Sequence, residues 1–132
     1  MKILVLDDDD DRHRAFSRKL VKFEVIQART YQQAIEALKE TVFDAAFLDH
    51  DLNMYGYEST AKKKGKTVEL TGGDVVDYIV KMHPSKRPAA IIVHSWNPAG
   101  ALYMVETLKD AGVSVMRWVF SPGFEGLKID GE

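Results

Sequence analysis

The residues Ala45-Ala46-Phe47-Leu48-Asp49-His50-Asp51 place four apolar side chains directly before three ionisable ones. Two other segments have the same form. Ile3-Leu4-Val5-Leu6 precedes five aspartates, Asp7 to Asp11, and Ile91-Ile92-Val93 precedes His94-Ser95-Trp96-Asn97. Short apolar runs of this kind are typical of strands that are buried on both faces of a sheet. Because ligands bind at the carboxyl ends of the strands in an open parallel sheet, we expect these polar residues to line one pocket.

Amphipathic stretches of helix length separate the apolar runs, which is typical of an α/β fold with a parallel sheet. The predicted strands span residues 2–6, 23–28, 45–49, 89–94 and 113–120. The predicted helices span residues 12–22 and 31–40, with two more that begin near Thr71 and at Pro98. Helical spacing predicts that Val21 in the first helix and Leu102 in the last helix face the core.

Two segments depart from this alternation. Residues 53–70 are polar and carry Lys62, Lys63, Lys64 and Lys66, so we expect a long loop whose lysines are solvated rather than a flap that grips phosphate. Residues 121–132 are rich in glycine, so the fifth helix of such a fold is predicted to be missing. We expect this irregular tail to pack over the sheet through Phe124, Leu127 and Ile129, or to pair with another subunit in a homodimer.

The composition narrows the class of protein. A chain of 132 residues is most simply one domain, residues 1–132, and its net charge of −2 gives no general attraction to nucleic acid or anionic membranes. The chain contains no cysteine, which excludes disulfides and thiolate metal sites. Neither a leader peptide nor an apolar run long enough to span a bilayer is apparent. We therefore expect a cytoplasmic protein that does not enter a membrane.

Residues 2–16 resemble the start of a response-regulator receiver domain, in which an acidic pair closes the first strand. That pair is Asp7 and Asp8. The likeness continues at residues 44–49, where Asp49 matches the phosphoacceptor of the family, and at residues 91–95, where Ser95 matches its switch hydroxyl. The resemblance implies a doubly wound, flavodoxin-like sheet of five parallel strands in the order 2-1-3-4-5. It also implies a histidine kinase as a candidate partner.

The chain departs from an ordinary receiver in two ways. The lysine expected at the end of the fifth strand is absent, because the sequence there is Trp118-Val119-Phe120-Ser121-Pro122. In addition, His50-Asp51-Leu52 and the segment from His94 to Gly100 resemble a smaller receiver-like group that is proposed to process cyclic phosphates and is found without a DNA-binding output domain. This second resemblance implies that the ligand is a phosphate-ester small molecule or nucleotide.

The acidic residues suggest a metal site. Two carboxylates 4 Å apart repel each other by about 4 kcal/mol at an effective dielectric constant near 20, and a divalent cation removes that repulsion. Oxygen ligands favour Mg²⁺, or Mn²⁺, which leaves coordination positions for a phosphate. The predicted metal ligands are Asp7, Asp8, Asp49 and Asp51. The alternative is that such aspartates cap helices and solvate loops.

Two histidines at strand ends could transfer protons near neutral pH. The predicted catalytic residues are Asp49, His50, His94 and Ser95. Asn97 and Gly100 are predicted to bind the ligand where a helix N-terminus favours anions, although Asn97 is first of all a predicted helix cap. The other two histidines, His13 and His83, are expected to be solvated.

The sequence leaves three functions open. The first is an enzyme that hydrolyses a cyclic phosphate with Asp49, His50 and His94. The second is a signalling receiver that is phosphorylated on Asp49. The third is a degenerate receiver that only binds a partner. The paired histidines favour the first function, and the missing lysine argues against the second.

Overall fold

The computed structural model describes residues 1–52 and 60–128. The elements alternate as the sequence predicts, with a short 3₁₀ helix at Pro84–Lys86. In chain order they are β1 (Lys2–Leu6), α1 (Asp10–Lys19), β2 (Glu24–Ala28), α2 (Tyr31–Glu40), β3 (Ala45–Leu48), β4 (Thr60–Lys63), β5 (Lys66–Glu69), α3 (Gly72–Lys81), β6 (Ala90–Val93), α4 (Pro98–Asp110) and β7 (Val115–Arg117).

The main sheet has five parallel strands in the order β2-β1-β3-β6-β7. The strand numbers differ from the predicted 2-1-3-4-5 because β4 and β5 were not predicted and lie outside this sheet. The last strand is also shorter than predicted, since it ends at Arg117 and not at Phe120. The fold is therefore flavodoxin-like, with helices on both faces of a parallel sheet.

The segment predicted as a long loop, residues 53–70, contains regular structure in its second half, which the sequence did not predict. Strands β4 and β5 form an antiparallel hairpin, joined by Lys64 and Gly65, which both have positive φ angles (52° and 77°). Two consecutive positive φ angles are typical of a tight hairpin turn. Lys62, Lys63 and Lys64 are exposed, as predicted. Because exposed strands of this kind show no alternation of apolar and polar residues, the hairpin could not be predicted from the sequence. Residues 53–59 lie outside the described part of the chain.

The two faces of the sheet have separate apolar cores. Helices α2, α3 and α4 cover one face, and α1 covers part of the other. The tail completes the second face, where Phe124 and Leu127 are buried beside Trp118 and Phe120. No helix follows β7 in residues 118–128. The predicted packing of the tail is confirmed for Phe124 and Leu127, whereas Ile129 lies outside the described residues.

Side-chain caps fix where the helices begin. Asp9 caps α1, Thr30 caps α2, Thr71 caps α3 and Asn97 caps α4, each by accepting a hydrogen bond from a backbone N–H in the first turn. Because Asp9 is the cap, α1 begins at Asp10, two residues before the predicted start, and it ends before Val21.

Two predicted core positions are wrong. Val21 is 76% exposed because α1 ends at Lys19, and Leu102 is 57% exposed. Helix α4 instead buries Ala101, Met104 and Leu108. No helix in the described residues is both long and apolar enough to cross a membrane.

Candidate functional site

Three side chains meet at the carboxyl ends of adjacent strands. Asp7 follows β1, Asp49 follows β3 and His94 follows β6, and β3 pairs with both of the other strands. All three are buried, and each offers a ligand atom that lies within 4.8 Å of the others. We call Asp7, Asp49 and His94 the strand-end cluster. The parallel register therefore brings these predicted site residues together.

His94 is held rigidly within this cluster. Its Nε2 lies 2.7 Å from Oδ2 of Asp7, and its ring makes an edge contact with Phe16 at a centroid distance of 5.3 Å. Since a carboxylate only accepts hydrogen bonds, Nε2 is the donor in this pair. The Nδ1 atom of His94 is buried and has no hydrogen-bond partner among the described residues.

Arg12 is the cation of the site, and no motif in the sequence marked it as such. Its Nε donates to Oδ2 of Asp7 at 2.7 Å, and its Nη2 lies 2.9 Å from Oδ1 of Asp7 and 3.2 Å from Oδ2 of Asp49. Its Nη2 also lies 3.7 Å from Asp8. Arg12 lies in the first turn of α1, and this position directs its side chain back toward the end of β1.

The two carboxyl groups of the cluster have opposite electrostatic environments. Burial acts to raise the pKa of Asp7, but hydrogen bonds from His94 and Arg12 outweigh it and lower the pKa to about 2. Burial raises the pKa of Asp49 to about 6, and the nearby charge of Asp7 adds to the effect. For Arg12, burial is outweighed by the hydrogen bond and charge of Asp7, so its pKa is raised. The cluster thus carries one firmly ionised carboxylate and one that titrates near neutral pH.

His50 forms a second group beside the strand-end cluster. Its Nδ1 lies 2.7 Å from Oδ1 of Asp51, which also accepts a hydrogen bond from Nδ2 of Asn97 at 3.2 Å. The hydrogen bond from His50 is the main reason that the pKa of Asp51 is lowered. The backbone N–H of His50 donates to Oδ1 of Asp49 at 2.9 Å. We call His50, Asp51 and Asn97 the His50 group.

Two glycines permit this packing. A Cβ atom at Gly100 would lie 2.7 Å from Nδ1 of His50 and closer still to other ring atoms. A Cβ atom at Gly72 would overlap the carbonyl oxygen of Asp49, and the N–H of Gly72 donates to the carbonyl of His50 at 2.8 Å. Helices α3 and α4 therefore begin in direct contact with the residues that follow β3. A larger residue in place of either glycine would displace Asp49 or His50.

The remaining predicted site residues have other positions. Asp8 contacts Arg12, and Asp51 belongs to the His50 group, so neither residue is part of the strand-end cluster. Ser95 is buried, and its hydroxyl accepts a hydrogen bond from the N–H of Asn97 at 3.0 Å. Asn97 caps α4 by accepting a hydrogen bond from the N–H of Gly100 at 2.9 Å.

The expectation that His13 is solvated is wrong. Its side chain is buried, and Nε2 lies 2.7 Å from the carbonyl oxygen of Asp7. Burial lowers the pKa of His13, so it supports the end of β1 as a neutral imidazole. His83 is exposed, as predicted. Burial of His13 follows from the early start of α1, which turns this position toward β1.

A second basic residue stands where the sheet ends. Arg117 is the last residue of β7, and its Nη2 donates to the carbonyl oxygen of Ser95 at 3.2 Å. The lysine expected after this strand is absent, but a guanidinium group stands at its end. The sequence concealed this residue because the predicted strand ran three residues further.

The donors of the strand-end cluster suit a divalent cation. Two carboxylates and one imidazole are buried with their ligand atoms close to one another, and Nε2 of His94 would bind a cation only after it gives up the proton that it donates to Asp7. Imidazole is a better ligand for transition metals than for Mg²⁺, which favours Mn²⁺ over Mg²⁺ within the predicted pair. Arg12 contacts oxygens of the same two carboxylates, so its guanidinium and a divalent cation would compete for them.

Solved structures with similar folds are receiver domains and related proteins. One is a receiver domain from Methanospirillum hungatei, with a TM-score of 0.60, 16% identity, and coverage of 92% of this chain and 84% of that chain. A second is a response regulator from Burkholderia pseudomallei, solved with a phosphorylated aspartic acid, a calcium ion and citrate, with a TM-score of 0.63, 17% identity, and coverage of 92% and 62%. A third is a sensor protein from Polaromonas, with a TM-score of 0.64, 22% identity, and coverage of 92% and 83%.

At these identities the likeness shows the fold alone. No curated protein sequence matches the chain. The model of one family, the cyclic-phosphate processing receiver domain, matches residues 2–110, which include the strand-end cluster, Arg12 and the His50 group. The chain therefore belongs to the cyclic-phosphate processing receiver domain family.

Proposed function

We propose that this protein hydrolyses a cyclic phosphate ester at the pocket formed by the strand-end cluster and the His50 group. The observation that carries this proposal is the pairing of His50 with Asp51 directly beside a buried cluster suited to a divalent cation. A signalling receiver needs an acidic pocket but has no use for an oriented imidazole. Hydrolysis of a phosphodiester needs both.

His50 is the proposed general base. Because Asp51 can only accept a hydrogen bond, Nδ1 of His50 carries the proton between them, and Nε2 is left with a lone pair. The His50 side chain is 19% exposed, so water can reach it, whereas His94 is 1% exposed and committed to Asp7. We therefore assign proton transfer to His50 and a ligand or orienting role to His94.

In the proposed step, His50 takes a proton from water at Nε2, and the water oxygen attacks the phosphorus atom. The bond from phosphorus to one ring oxygen breaks, and that oxygen receives a proton from the imidazolium to give a phosphomonoester and a hydroxyl. Arg12 is proposed to contact a non-bridging oxygen through Nη1, since its Nε and Nη2 donate to the carboxylates of Asp7 and Asp49. A divalent cation held by Asp7, Asp49 and His94 would neutralise charge that develops on the phosphoryl oxygens.

One observation favours a second candidate function. Arg12 and Arg117 supply guanidinium groups at the pocket rim, where the missing lysine would otherwise contact a phosphoryl group. A receiver that is phosphorylated on Asp49 by a histidine kinase could use them in its place. However, Asp49 is 4% exposed and lies against Arg12, so the attacking oxygen is poorly accessible.

Parallel incubations separate the two functions. With Mn²⁺ present, the protein is incubated with 2′,3′- and 3′,5′-cyclic nucleotides in one series and with a small phosphodonor in the other. The proposal predicts a phosphomonoester product in the first series and no stable phosphoprotein in the second. Phosphorylation of Asp49 together with inertness toward every cyclic nucleotide would replace this proposal with the second candidate.

A further inference from the structure

A cavity of about 490 Å³ adjoins the proposed catalytic pocket. Arg12 lines this cavity, and its guanidinium contacts Asp7 and Asp49 in the pocket. The volume falls in the range of sites that take small molecules. A ligand whose phosphate lies at Arg12 therefore has room to extend into the cavity.

Trp96 forms part of the wall of this cavity. It is 65% exposed, although large aromatic side chains gain most from burial, and it follows His94 and Ser95 directly. Ser95 and Asn97 on either side of it are fixed by the hydrogen bond between the Ser95 hydroxyl and the Asn97 N–H. The indole is thus attached to a rigid turn beside the catalytic pocket and presents its surface to solvent.

The rest of the lining combines apolar and basic groups. Ala15, Phe120 and Pro122 supply apolar surface, and Arg18 on α1 supplies positive charge in addition to Arg12. Two carboxylates also line the cavity, but Asp9 caps α1 and Asp11 pairs with Arg14. An apolar floor, an exposed indole and a guanidinium next to a phosphate position are what an aromatic ring joined to a phosphate requires.

We infer that this cavity binds the base of a nucleotide, which stacks on Trp96 while its phosphate lies at Arg12. The inference rests on the proposed function and narrows its substrate class to cyclic phosphates that carry a nucleobase. Stacking is tolerant of base identity because every base has an aromatic face, so the site selects nucleotides from other esters and discriminates weakly among bases. Trp96 is then a specificity residue and takes no part in proton transfer.

Tryptophan fluorescence tests the inference without any need for turnover. The chain has two tryptophans, Trp96 and Trp118. Trp118 is buried in the core on the sheet face that α1 covers, and its Nε1–H donates a hydrogen bond to the carbonyl oxygen of Glu125 at 2.8 Å. The full chain with Mn²⁺ is titrated with adenosine 2′,3′-cyclic phosphate and with glycerol 1,2-cyclic phosphate, which lacks a base. We expect the nucleotide to quench the fluorescence and the glycerol ester to leave it unchanged.

The variant Trp96→Leu supplies the control. Because Trp96 is exposed, the substitution leaves the melting temperature unchanged, which a thermal scan verifies. We expect the quenching to disappear and Kd for the nucleotide, measured by calorimetry, to rise about tenfold, while Kd for the glycerol ester stays the same. Unchanged nucleotide affinity in Trp96→Leu, or equal affinity of the unaltered protein for the two esters, would overturn the inference.

The outcome is separable from that of the proposed function. If the nucleotide binds and quenches but is never hydrolysed, the proposed function fails and this inference stands. If both esters are hydrolysed with the same KM in the unaltered protein and in Trp96→Leu, the proposed function stands and this inference fails.

Discussion

Gly100 lies against the imidazole of His50, so closely that a Cβ atom at position 100 would approach Nδ1 of His50 to 2.7 Å. The first turn of α4 therefore forms the wall that holds the proposed general base against Asp51. This contact relates two motifs that are 50 residues apart in the sequence. It also explains why a glycine stands three residues after the cap of α4.

The first prediction concerns this contact. A methyl group at position 100 cannot fit against the His50 ring, so Gly100→Ala should displace the ring from its present position at Asp51, and kcat for cyclic phosphate hydrolysis should fall at least about tenfold. Metal binding, measured by calorimetry with Mn²⁺, should stay close to that of the unaltered protein because the strand-end cluster is not displaced. Ala99→Ser is the matched control, since Ala99 is exposed on the same turn. Equal kcat in the two variants would show that the Gly100 contact does not position His50.

The second prediction concerns the metal site. Mn²⁺ at 100 times its dissociation constant should add about 2.7 kcal/mol to the free energy of unfolding. His94→Gln should abolish this gain, whereas Asp8→Asn should retain it, because Asp8 is outside the strand-end cluster. Urea titrations with and without Mn²⁺ measure both effects. Loss of the gain in Asp8→Asn and not in His94→Gln would place the cation on the acidic pair instead.

Arg12 gives the third prediction. Without metal, Arg12→Gln leaves Asp7 and Asp49 as close carboxylates with no counter-charge, so the free energy of unfolding should fall by about 2 kcal/mol. The gain on adding Mn²⁺ should then be larger than in the unaltered protein, because a competing cation has been removed. Arg14→Gln on the exposed side of α1 is the control. A smaller gain from Mn²⁺ in Arg12→Gln than in the control would contradict the competition.

The fourth prediction is a pH dependence of stability. The folded pKa of Asp49 is about 6 and its ordinary value is 3.8, so the folded state binds more protons than the unfolded state between these values. The contribution of Asp49 to stability is therefore lost as pH rises from about 4 to about 6 and stays lost above that, a change of about 3 kcal/mol. The depressed pKa of Asp7 acts outside this window, since its contribution is lost only as pH falls toward 2.

Comparison with Asp49→Asn isolates this effect from other titrating groups, including His13. In metal-free buffer the two proteins should have similar free energies of unfolding at pH 4, and the variant should be more stable by about 2 to 3 kcal/mol at pH 7.5. Urea titrations across this range measure the difference. If the difference is constant with pH, Asp49 does not titrate with a raised pKa.

The tail provides the fifth prediction. Phe124 is buried against Phe16, Trp118 and Phe120, at ring centroid distances of 5.2 to 5.5 Å. Phe124→Ala should therefore lower the free energy of unfolding by about 3 kcal/mol. Val119→Ala, at a position that is 42% exposed, is the control and should change it by less than about 0.5 kcal/mol. A neutral Phe124→Ala would mean that the tail does not contribute to the core in solution.

Apolar runs gave reliable predictions of the fold and of the strand-end residues. Each buried strand ends where ionisable residues begin, so the positions of Asp7, Asp49 and His94 at one edge of the sheet could be predicted from sequence. The hairpin of β4 and β5 could not, because exposed strands have little apolar alternation. Gly65 suits the positive φ of the second turn position, but Lys64 is not a residue that usually marks the first one.

The roles of individual site residues depended on contacts that spacing does not encode. Arg12 reaches the carboxylates only because Asp9 caps α1 and fixes the rotation of the first turn. Asp51 lies with His50 and away from the cluster because Asn97, far along the chain, donates to it. In each case a hydrogen bond between distant or capping residues decides the role, and a single sequence does not reveal it.

The proposed hydrolysis of a cyclic phosphate depends on His50 as the residue that transfers the proton. The most direct test is kcat for a 2′,3′-cyclic nucleotide with Mn²⁺, measured for the unaltered protein, His50→Gln and His83→Gln, an exposed histidine away from the site. We predict that His50→Gln lowers kcat about 10²-fold or more with folding intact, and that His83→Gln has no effect. A kcat in His50→Gln equal to that of the unaltered protein would show that His50 does not transfer the proton.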